Sequence, residues 1–333
     1  MTALPVKPMP GPDFLCIGAQ KAGTEWLYDQ LAYHADFWMP PIKEFHYFDA
    51  GRRERAQPLY EQAVADLTGV NRARLASSKR ALDSRDLEFL VSFARLSRRG
   101  VGRRVAEWLR AGSSTASRIL PGYSRIHGDL VYPVLRARFH LRLREYGALF
   151  LHKGMALSGD ITPCYSVLPS GVIRQIMRAF PDLKVVLFVR DPVERFWSAV
   201  QMHTRMGNTS PPDTHALERR FREPRYIHRS FQTRIAARWR RLVPAENFGV
   251  FIFDDLVKDA REFRRRILLF LGGDPEKRSG DLPHDFNRKT SHPKHPLPDE
   301  FREHLGRLFA EELLASAREF GGAATAWPAK YGL

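Results

Sequence analysis

The 333-residue chain has little cysteine and no long apolar run, and its acidic residues are outnumbered by basic ones. Its two cysteines, Cys16 and Cys164, lie far apart, with no cysteine–histidine cluster at zinc spacing. This excludes a disulfide framework and a zinc finger, and we expect two reduced packing residues. No apolar stretch reaches the roughly eighteen residues of a membrane span, and residues 1–14 lack the apolar core of a signal peptide. We therefore expect a cytoplasmic protein.

The charge balance is strongly positive. Lysine and arginine total 53 against 37 aspartates and glutamates, which gives a formal net charge of +16. Such an excess favours polyanionic partners: nucleic acid, a sulfated or acidic glycan, or a phosphorylated cofactor. The basic residues are scattered, as in "GRRER" and "EFRRR", a pattern that also fits solvated helix faces. Charge suggests an anionic ligand without identifying it.

Short apolar runs alternate with amphipathic segments along most of the chain. This alternation predicts an α/β fold of three layers, with a central parallel sheet between helices, in a single domain over residues 1–333. Predicted strands lie at residues 13–18, within 156–163, within 184–192 and at 248–253. Predicted helices lie at residues 24–33 and 170–180, after Pro192, before the pair Gly272 and Gly273, and at 298–320.

Residues 51–152 interrupt this alternation with arginine-rich helical stretches such as "DLEFLVSFARL" and "RVAEWLRAG". We interpret them as a helical insertion. A lid over the site and simple packing against the sheet edge both fit, because long excursions between strands serve either purpose.

The stretch "FLCIGAQKAGTEWL" runs a predicted strand through a loop of small residues into a helix. Backbone N–H groups at a helix N-terminus converge on one point, where the helix dipole adds positive charge. Small residues allow close approach to the backbone, while Lys21 supplies an ammonium and Thr24 a hydroxyl. The loop therefore predicts an anion site. It is not the ATP-binding pattern GxxxxGK[ST], because Lys21 precedes Gly23.

A second cationic site is predicted in "VRDPVERFWSA". Arg190 ends a buried strand, at the edge where parallel α/β sheets bind ligands, and Ser198 follows about two helical turns later. A guanidinium suits a phosphate, although a salt bridge from Arg190 to Asp191 or Glu194 also fits. Taken together, the two sites predict a ligand with two separated anionic groups.

Four motifs in fixed order, "IGAQKAGTEWL", "KEFHYFD", "GDITPCYS" and "FVRDPVERFWSA", resemble those of sulfotransferases that use 3′-phosphoadenosine 5′-phosphosulfate (PAPS). The resemblance covers residues 13–49 and 157 to about 273. It is greatest to the branch that contains heparan sulfate sulfotransferases and many bacterial relatives. It implies a P-loop-like core and a nucleotide with two anionic groups, as the two loops predict.

The resemblance also implies roles for individual residues. The 5′-phosphosulfate would be held by the first loop: Gln20, Lys21, Ala22, Gly23, Thr24 and the adjoining Glu25. The 3′-phosphate would be held by Arg190 and Ser198, with further contacts from Arg288, Lys289 and Thr290 in a loosely similar C-terminal loop.

The motif "KEFHYFD" would carry the acceptor chemistry. By resemblance, Glu44 is the general base and His46 a further catalytic residue, and His46 and Asp49 line the acceptor site. A hydroxyl or amine must lose a proton as it attacks sulfur, and a nearby carboxylate can accept that proton. Lys21 would neutralise the charge that grows on the bridging oxygen, so no metal is expected. Phe45 and Tyr47 could stack on a sugar ring or a phenol of the acceptor.

Two departures from the family pattern bear on function. Glu25 stands where many members carry a small hydroxyl residue, and we expect its carboxylate to point away from the anion. Ile161 stands where heparan sulfate members carry a lysine that they use at the acceptor. The missing charge argues against a heparan-like acceptor.

Two other functions remain open at this point. A nucleotide-dependent kinase is disfavoured by the position of Lys21 and by the scarcity of magnesium ligands beyond Asp160, Asp254 and Asp255. A nucleic-acid-binding protein would use the net positive charge, but no DNA- or RNA-binding motif is present. The sequence does not identify the acceptor, which could be a carbohydrate or a small molecule, and it does not give the oligomeric state.

Overall fold

The computed structural model describes residues 9–49, 84–95, 126–127, 143–206, 227–277, 282–285 and 295–333. The strands are β1 (Phe14–Gly18), β2 (Ile42–Lys43), β3 (Ile126–His127), β4 (Gly159–Ile161), β5 (Lys184–Val189) and β6 (Phe248–Ile252). The α-helices are α1 (Thr24–Ala32), α2 (Ser84–Arg95), α3 (Leu143–Ala148), α4 (Ser170–Ala179), α5 (Pro192–Met206), α6 (Gln232–Arg240), α7 (Phe253–Lys258), α8 (Ala260–Leu271), α9 (Asp299–Leu308) and α10 (Ala310–Phe320). Short 3₁₀ helices lie at Leu149–Lys153, Pro163–Val167, His228–Ser230, Ala245–Asn247, Gly322–Ala326 and Pro328–Tyr331.

Four strands form a central parallel sheet in the order β4-β1-β5-β6, flanked by helices. In β5 every residue after Lys184 is buried, and β5 pairs with β6 from Val185 opposite Phe248 to Val189 opposite Ile252. Burial of each large apolar side chain contributes about 1.5–3 kcal/mol to stability, so a run of them favours a central strand. The predicted P-loop-like α/β fold is confirmed. A separate parallel pair joins β2 and β3.

The chain divides into two compact units. The first comprises Met1–Leu15, Leu31–Thr162 and Arg174–Leu183. In its core, Tyr146 is fully buried, with its ring centroid 4.6 Å from that of Phe48 and 5.4 Å from that of Phe150. The Tyr146 hydroxyl donates to Asp160 Oδ2 at 3.2 Å, which satisfies the polar end of a buried aromatic.

The second unit comprises Cys16–Gln30, Pro163–Ile173 and Lys184–Leu333. Its core includes Phe188 and Phe263, whose ring centroids lie 5.4 Å apart, and the fully buried Trp239 and Trp327. The indole nitrogen of Trp239 donates to the Ser166 carbonyl oxygen at 3.2 Å. The predicted binding loop and Arg190 both belong to this unit.

The start of α5 explains how Arg190 is presented. Asp191 Oδ1 accepts hydrogen bonds from the backbone N–H groups of Val193 at 3.0 Å and Glu194 at 3.3 Å. Pro192, which has no N–H to satisfy, is the first helical residue. Arg190 therefore sits in a tight junction between the end of β5 and a capped helix.

The C-terminal prediction was wrong in one respect. Residues 298–320 form two helices, α9 and α10, instead of one, and Phe309 lies between them with φ −104° and ψ 13°. The Phe309 side chain is fully buried, with its ring centroid 5.9 Å from those of Phe196 and Phe231. The bend places this ring in the core while Leu305 and Leu313 on the flanking helices also stay buried.

Several other predictions concern the insertion, the cysteines and membrane-spanning helices, and some of them fall on residues that the structure does not describe. Most of the predicted 51–152 insertion lies outside them, so the single domain with a helical insertion stays a prediction. Within it, "DLEFLVSFARL" falls almost wholly on α2. Both cysteines are free, as predicted, although Cys164 lies on the 3₁₀ helix Pro163–Val167 and not on a strand. Among the described residues no helix is both long and apolar enough to cross a membrane.

Candidate functional site

The loop after β1, residues 18–24, is a compact turn with three left-handed residues. Gly18 has φ +131°, Gly23 has φ +95° and Lys21 has φ +72°. A Cβ atom on Gly18 would lie 3.0 Å from the Pro163 carbonyl oxygen, so a side chain there would need the backbone to shift. The Ala19 N–H donates to the Phe188 carbonyl oxygen at 2.7 Å, which ties the turn to β5. The turn leads directly into α1, so the loop ends at a helix N-terminus, as predicted.

Arg190 lies beside this 18–24 loop. Its Nη1 donates to the Lys21 carbonyl oxygen at 2.9 Å, and its guanidinium stacks over the Phe253 ring at 4.6 Å. The contact with Glu194 is a looser ion pair of 3.6 Å. Burial lowers the pKa of Arg190, while the neighbouring carboxylates, Glu194 first, act in the opposite direction. The structure thus brings together the two cationic sites that the sequence predicted separately.

Gln232, at the start of α6, holds the backbone of Arg190 on both sides. The Arg190 N–H donates to Gln232 Oε1 at 2.8 Å, and Gln232 Nε2 donates to the Arg190 carbonyl oxygen at 2.5 Å. Gln232 is fully buried, so the two bonds fix the strand end against α6 without competition from water. Sequence reasoning missed this residue because an internal glutamine on a helix carries no signal of its distant partner.

Two further arginines near this strand end were also missed. Arg195 is fully buried on α5, and its Nε donates to Ser230 Oγ at 2.8 Å. Burial first, and then the positive charges of Arg229 and Arg190, lower the pKa of Arg195 to about 9. Arg229 Nη1 donates to Gln20 Oε1 at 2.9 Å. Three guanidinium groups therefore contribute positive potential around the 18–24 loop.

A second charged site lies in residues 43–49, within the first unit. Lys43 Nζ is 2.7 Å from Glu44 Oε1, and the Lys43 side chain is 1% exposed. His46 lies between two carboxylates: its Nε2 is 3.4 Å from Glu44 Oε2 and its Nδ1 is 2.9 Å from Asp49 Oδ2. In this 43–49 segment, four ionisable side chains are therefore joined end to end: Lys43, Glu44, His46 and Asp49.

A family model described as the sulfotransferase family matches residues 12–276. The chain belongs to the sulfotransferase family. A sulfotransferase from Alicyclobacillus acidocaldarius has a similar solved structure, with TM-score 0.51 and 18% identity over 95% of this chain and 98% of that chain. At this identity the likeness shows the fold.

Two other solved structures are also similar. The sulfotransferase domain of the Synechococcus PCC 7002 olefin synthase gives a TM-score of 0.42 at 19% identity, over 86% of this chain and 82% of that one. Sulfotransferase STF9 from Mycobacterium avium gives a TM-score of 0.43 at 17% identity, over 92% of this chain and 77% of that chain. The chain matches no curated protein sequence.

Backbone geometry singles out three residues of this sulfotransferase. In the described part of the chain, Lys21, Glu44 (φ 66°) and His46 (φ 53°) are the non-glycine residues with positive φ. Side chains with a Cβ atom disfavour this region, and the surrounding structure must hold them there. The same three residues are those for which the sequence predicted a catalytic role.

The charge state of Glu44 follows from its neighbours. Burial would raise the pKa of the Glu44 carboxyl, but the Lys43 ammonium and the His46 ring together hold this pKa well below its usual range. Glu44 is therefore a carboxylate at any physiological pH. Its Oε1 is the oxygen held by Lys43, while Oε2 has the longer contact, to His46.

Other predicted site residues occupy varied surroundings in the sulfotransferase. Thr24 is buried at the first position of α1, beside the half-buried Glu25, and Ala22 is buried inside the loop. Ser198 is half-buried on α5. Arg288, Lys289 and Thr290 lie outside the described residues.

The aromatic residues predicted to contact the acceptor pack in the core of the first unit. Phe45 is 2% exposed and its ring centroid lies 5.7 Å from that of Phe89. Tyr47 is 8% exposed, and its ring centroid lies 5.0 Å from that of Tyr146. Both rings thus contribute to the packing of this core, and their contact with an acceptor stays a prediction. Asp49 holds His46 and is more exposed, at 16% of its side chain.

Proposed function

We propose that this sulfotransferase takes its sulfuryl group from PAPS and transfers it to a hydroxyl or amine of an acceptor, with Glu44 as the general base. The observation that carries the proposal is the hydrogen bond from Arg190 Nη1 to the Lys21 carbonyl oxygen. It joins the 18–24 loop and a second cationic group in one site. A nucleotide with anionic groups at both its 5′ and 3′ positions matches that pair.

The donor would be held mainly by backbone and cationic groups of the second unit. The loop residues Gln20, Lys21, Ala22, Gly23 and Thr24 would bind the 5′-phosphosulfate at the N-terminus of α1, where unpaired N–H groups and the helix dipole favour an anion. Arg190 and Ser198 would bind the 3′-phosphate, with Arg288, Lys289 and Thr290 as further contacts.

The electrostatics of the second unit support an anionic ligand. Burial first, and then the positive charges of Arg229 and Arg190, lower the pKa of Arg195, so positive charge is concentrated around this residue. Glu194 forms an ion pair with Arg190 at 3.6 Å, and Asp191 and Asp254 add further negative charge near Arg190. A bound dianion would offset this positive charge, which favours its binding.

PAPS supplies the sulfuryl group, and adenosine 3′,5′-bisphosphate (PAP) departs as the bond between sulfur and the phosphate oxygen breaks. Lys21 would stabilise the negative charge on that oxygen. Glu44 Oε2 would accept the proton that the acceptor loses as its oxygen or nitrogen bonds to sulfur. Because the pKa of Glu44 is held low, Glu44 is a weak base. It would therefore take the proton late in the reaction, when formation of the bond to sulfur has already made the acceptor group more acidic.

Lys43, His46 and Asp49 would orient this base. Lys43 fixes one carboxylate oxygen, and His46, itself held by Asp49, lies against the other. A side chain fixed at both oxygens loses little conformational entropy when the acceptor arrives. The role of Glu44 is therefore supported by a built arrangement as well as by the motif.

One position that the heparan sulfate members use at their acceptor carries no charge in this chain. Ile161, in place of their lysine, is 2% exposed within β4, so this position offers no cation. The likeness to the heparan sulfate branch stays a prediction. We propose a carbohydrate or small-molecule acceptor with a hydroxyl or amine group.

The experiment that tests the function is calorimetric titration of the full chain with PAP, AMP and ATP–Mg²⁺ at fixed salt. We expect PAP to bind more tightly than AMP by about tenfold or more, because a hydrogen-bonded 3′-phosphate adds charge-assisted contacts. Preference for ATP–Mg²⁺ would favour a kinase. Absence of nucleotide binding, with steep salt-dependent binding to random DNA, would favour a nucleic-acid-binding protein.

A further inference from the structure

Arg229 lies where three elements of the second unit meet. It belongs to the 3₁₀ helix His228–Ser230, just before α6. Its Nη1 donates to Gln20 Oε1 in the 18–24 loop at 2.9 Å, and its Nη2 donates to Cys164 Sγ at 3.1 Å. One guanidinium thus joins the loop after β1 to the turn after β4.

The charge of Arg229 has little compensation. Within the described parts of the chain, no carboxylate forms an ion pair with its half-buried side chain, whereas Arg190 has Glu194 at 3.6 Å. Its positive charge also contributes, after burial, to the lowered pKa of Arg195. A half-buried guanidinium in such surroundings is stabilised by a bound anion.

The hydrogen bonds that Arg229 makes can be exchanged for bonds to such an anion. A thiol sulfur is a weak hydrogen-bond acceptor, and a guanidinium binds oxyanions much more strongly than neutral groups. The Nη2 contact to Cys164 can therefore be exchanged for an oxygen of a ligand at little cost. The Nη1 contact places the exchange beside Gln20, at the end of the 18–24 loop that precedes Lys21.

We propose that Arg229 is a further donor-binding residue, which donates from Nη2 to an oxygen of the sulfonate group of PAPS. The proposal rests on the proposed function, because it presumes that the 18–24 loop holds the 5′-phosphosulfate. Arg190 and Ser198 are assigned to the 3′-phosphate, so Arg229 recognises the end of the donor that PAP lacks. It thereby distinguishes donor from product.

The test compares PAPS with PAP as calorimetric ligands for wild type and for Arg229→Gln, in the full chain and without acceptor. We expect the variant to bind PAPS about 10- to 100-fold more weakly and PAP within a few-fold of wild type, because only PAPS offers the sulfonate. Arg229→Lys keeps the charge without the planar fork and should show a smaller loss for PAPS alone. Arg234→Gln, an exposed arginine on the following helix, is the matched control and should change neither affinity.

The outcomes separate this proposal from the function itself. If Arg229→Gln loses affinity equally for both nucleotides, Arg229 has a structural role and the assignment is overturned. If it loses affinity for neither, Arg229 does not bind the donor and the assignment is also overturned. If circular dichroism shows that Arg229→Gln does not fold, the test is made with Arg229→Lys. A wild-type ratio of PAPS to PAP affinity in that variant would overturn the proposed role of Arg229. If wild type binds neither nucleotide, the proposed function fails first.

Discussion

The 18–24 loop and the 43–49 segment handle charge in opposite ways. Beside the loop, Arg190 and Arg229 supply positive charge: Arg190 has an ion pair with Glu194 at 3.6 Å, while Arg229 donates to the uncharged groups of Gln20 and Cys164. In the 43–49 segment, Lys43, Glu44, His46 and Asp49 contact one another in turn at 2.7 to 3.4 Å, so the negative charge of Glu44 is paired within the segment. Both regions hold non-glycine residues at positive φ, so both are backbone conformations that the fold must enforce.

This difference matches the two tasks of the proposed reaction, donor binding and proton transfer. A region with an excess of positive charge is stabilised by an anionic ligand, which suits binding of the proposed nucleotide donor. A region with internal pairing holds its groups in one charge state and one orientation, which suits proton transfer. Variants that affect binding without affecting proton transfer, and the reverse, would sharpen the comparison.

The largest effect is expected from Glu44→Gln. The amide cannot accept a proton, so turnover with PAPS and an acceptor found from a panel of hydroxyl and amine compounds should fall by about 10²- to 10⁴-fold. Affinity for PAP should stay near that of wild type, because the donor contacts lie on other residues. Glu246→Gln, which removes an exposed carboxylate from the second unit, is the control and should keep full turnover. Unchanged turnover in Glu44→Gln would remove Glu44 as the base.

Arg190→Ala should have the next largest effect, on the donor region alone. Loss of its charge-assisted contacts should weaken PAP binding by about 10- to 100-fold and AMP binding much less, measured by calorimetry. Arg265→Ala, on the exposed face of α8, is the control. Equal weakening of PAP and AMP would mean that Arg190 supports the loop through Lys21 without contacting the 3′-phosphate.

Lys43→Met should give the smallest effect, and one that depends on pH. Lys43 holds the pKa of Glu44 below its unfolded value, so the pair stabilises the fold above the ordinary glutamate pKa, and this stability is lost as pH falls through the lowered value. Denaturant unfolding should show a loss of about 1–2 kcal/mol at neutral pH, because Glu44 retains His46 and partial solvation.

The loss in Lys43→Met should shrink as the solution is made acidic, because the carboxylate that Lys43 stabilises becomes protonated. The same variant should move the acid limb of the kcat/KM profile to higher pH, since the base then titrates closer to its ordinary range. A loss of stability that is independent of pH would mean that Lys43 contributes through packing alone.

Sequence reasoning located the elements better than their contacts. The strand predicted at 13–18 and the helix at 24–33 are β1 and α1 to within one residue. The helix predicted at 298–320 is two helices, because the bend at Phe309 depends on Phe196 and Phe231, which are distant in sequence. Local periodicity reports which face of a segment is apolar, and a bend imposed by a remote ring leaves no mark on it.

By itself, the sequence determined the α/β fold, the strand, loop and helix around residues 18–24, and the membership of the sulfotransferase family that its ordered motifs indicated. These depend on patterns within about thirty residues of chain, where spacing and hydrophobicity decide the local structure. The tertiary structure alone decided that Gln232 clamps the backbone of Arg190 and that Arg229 reaches Gln20. Such pairs join residues separated by 42 and 209 positions, and only packing brings them together. The charge state of a residue such as Arg195 follows from that packing, because burial and neighbouring charges set its pKa.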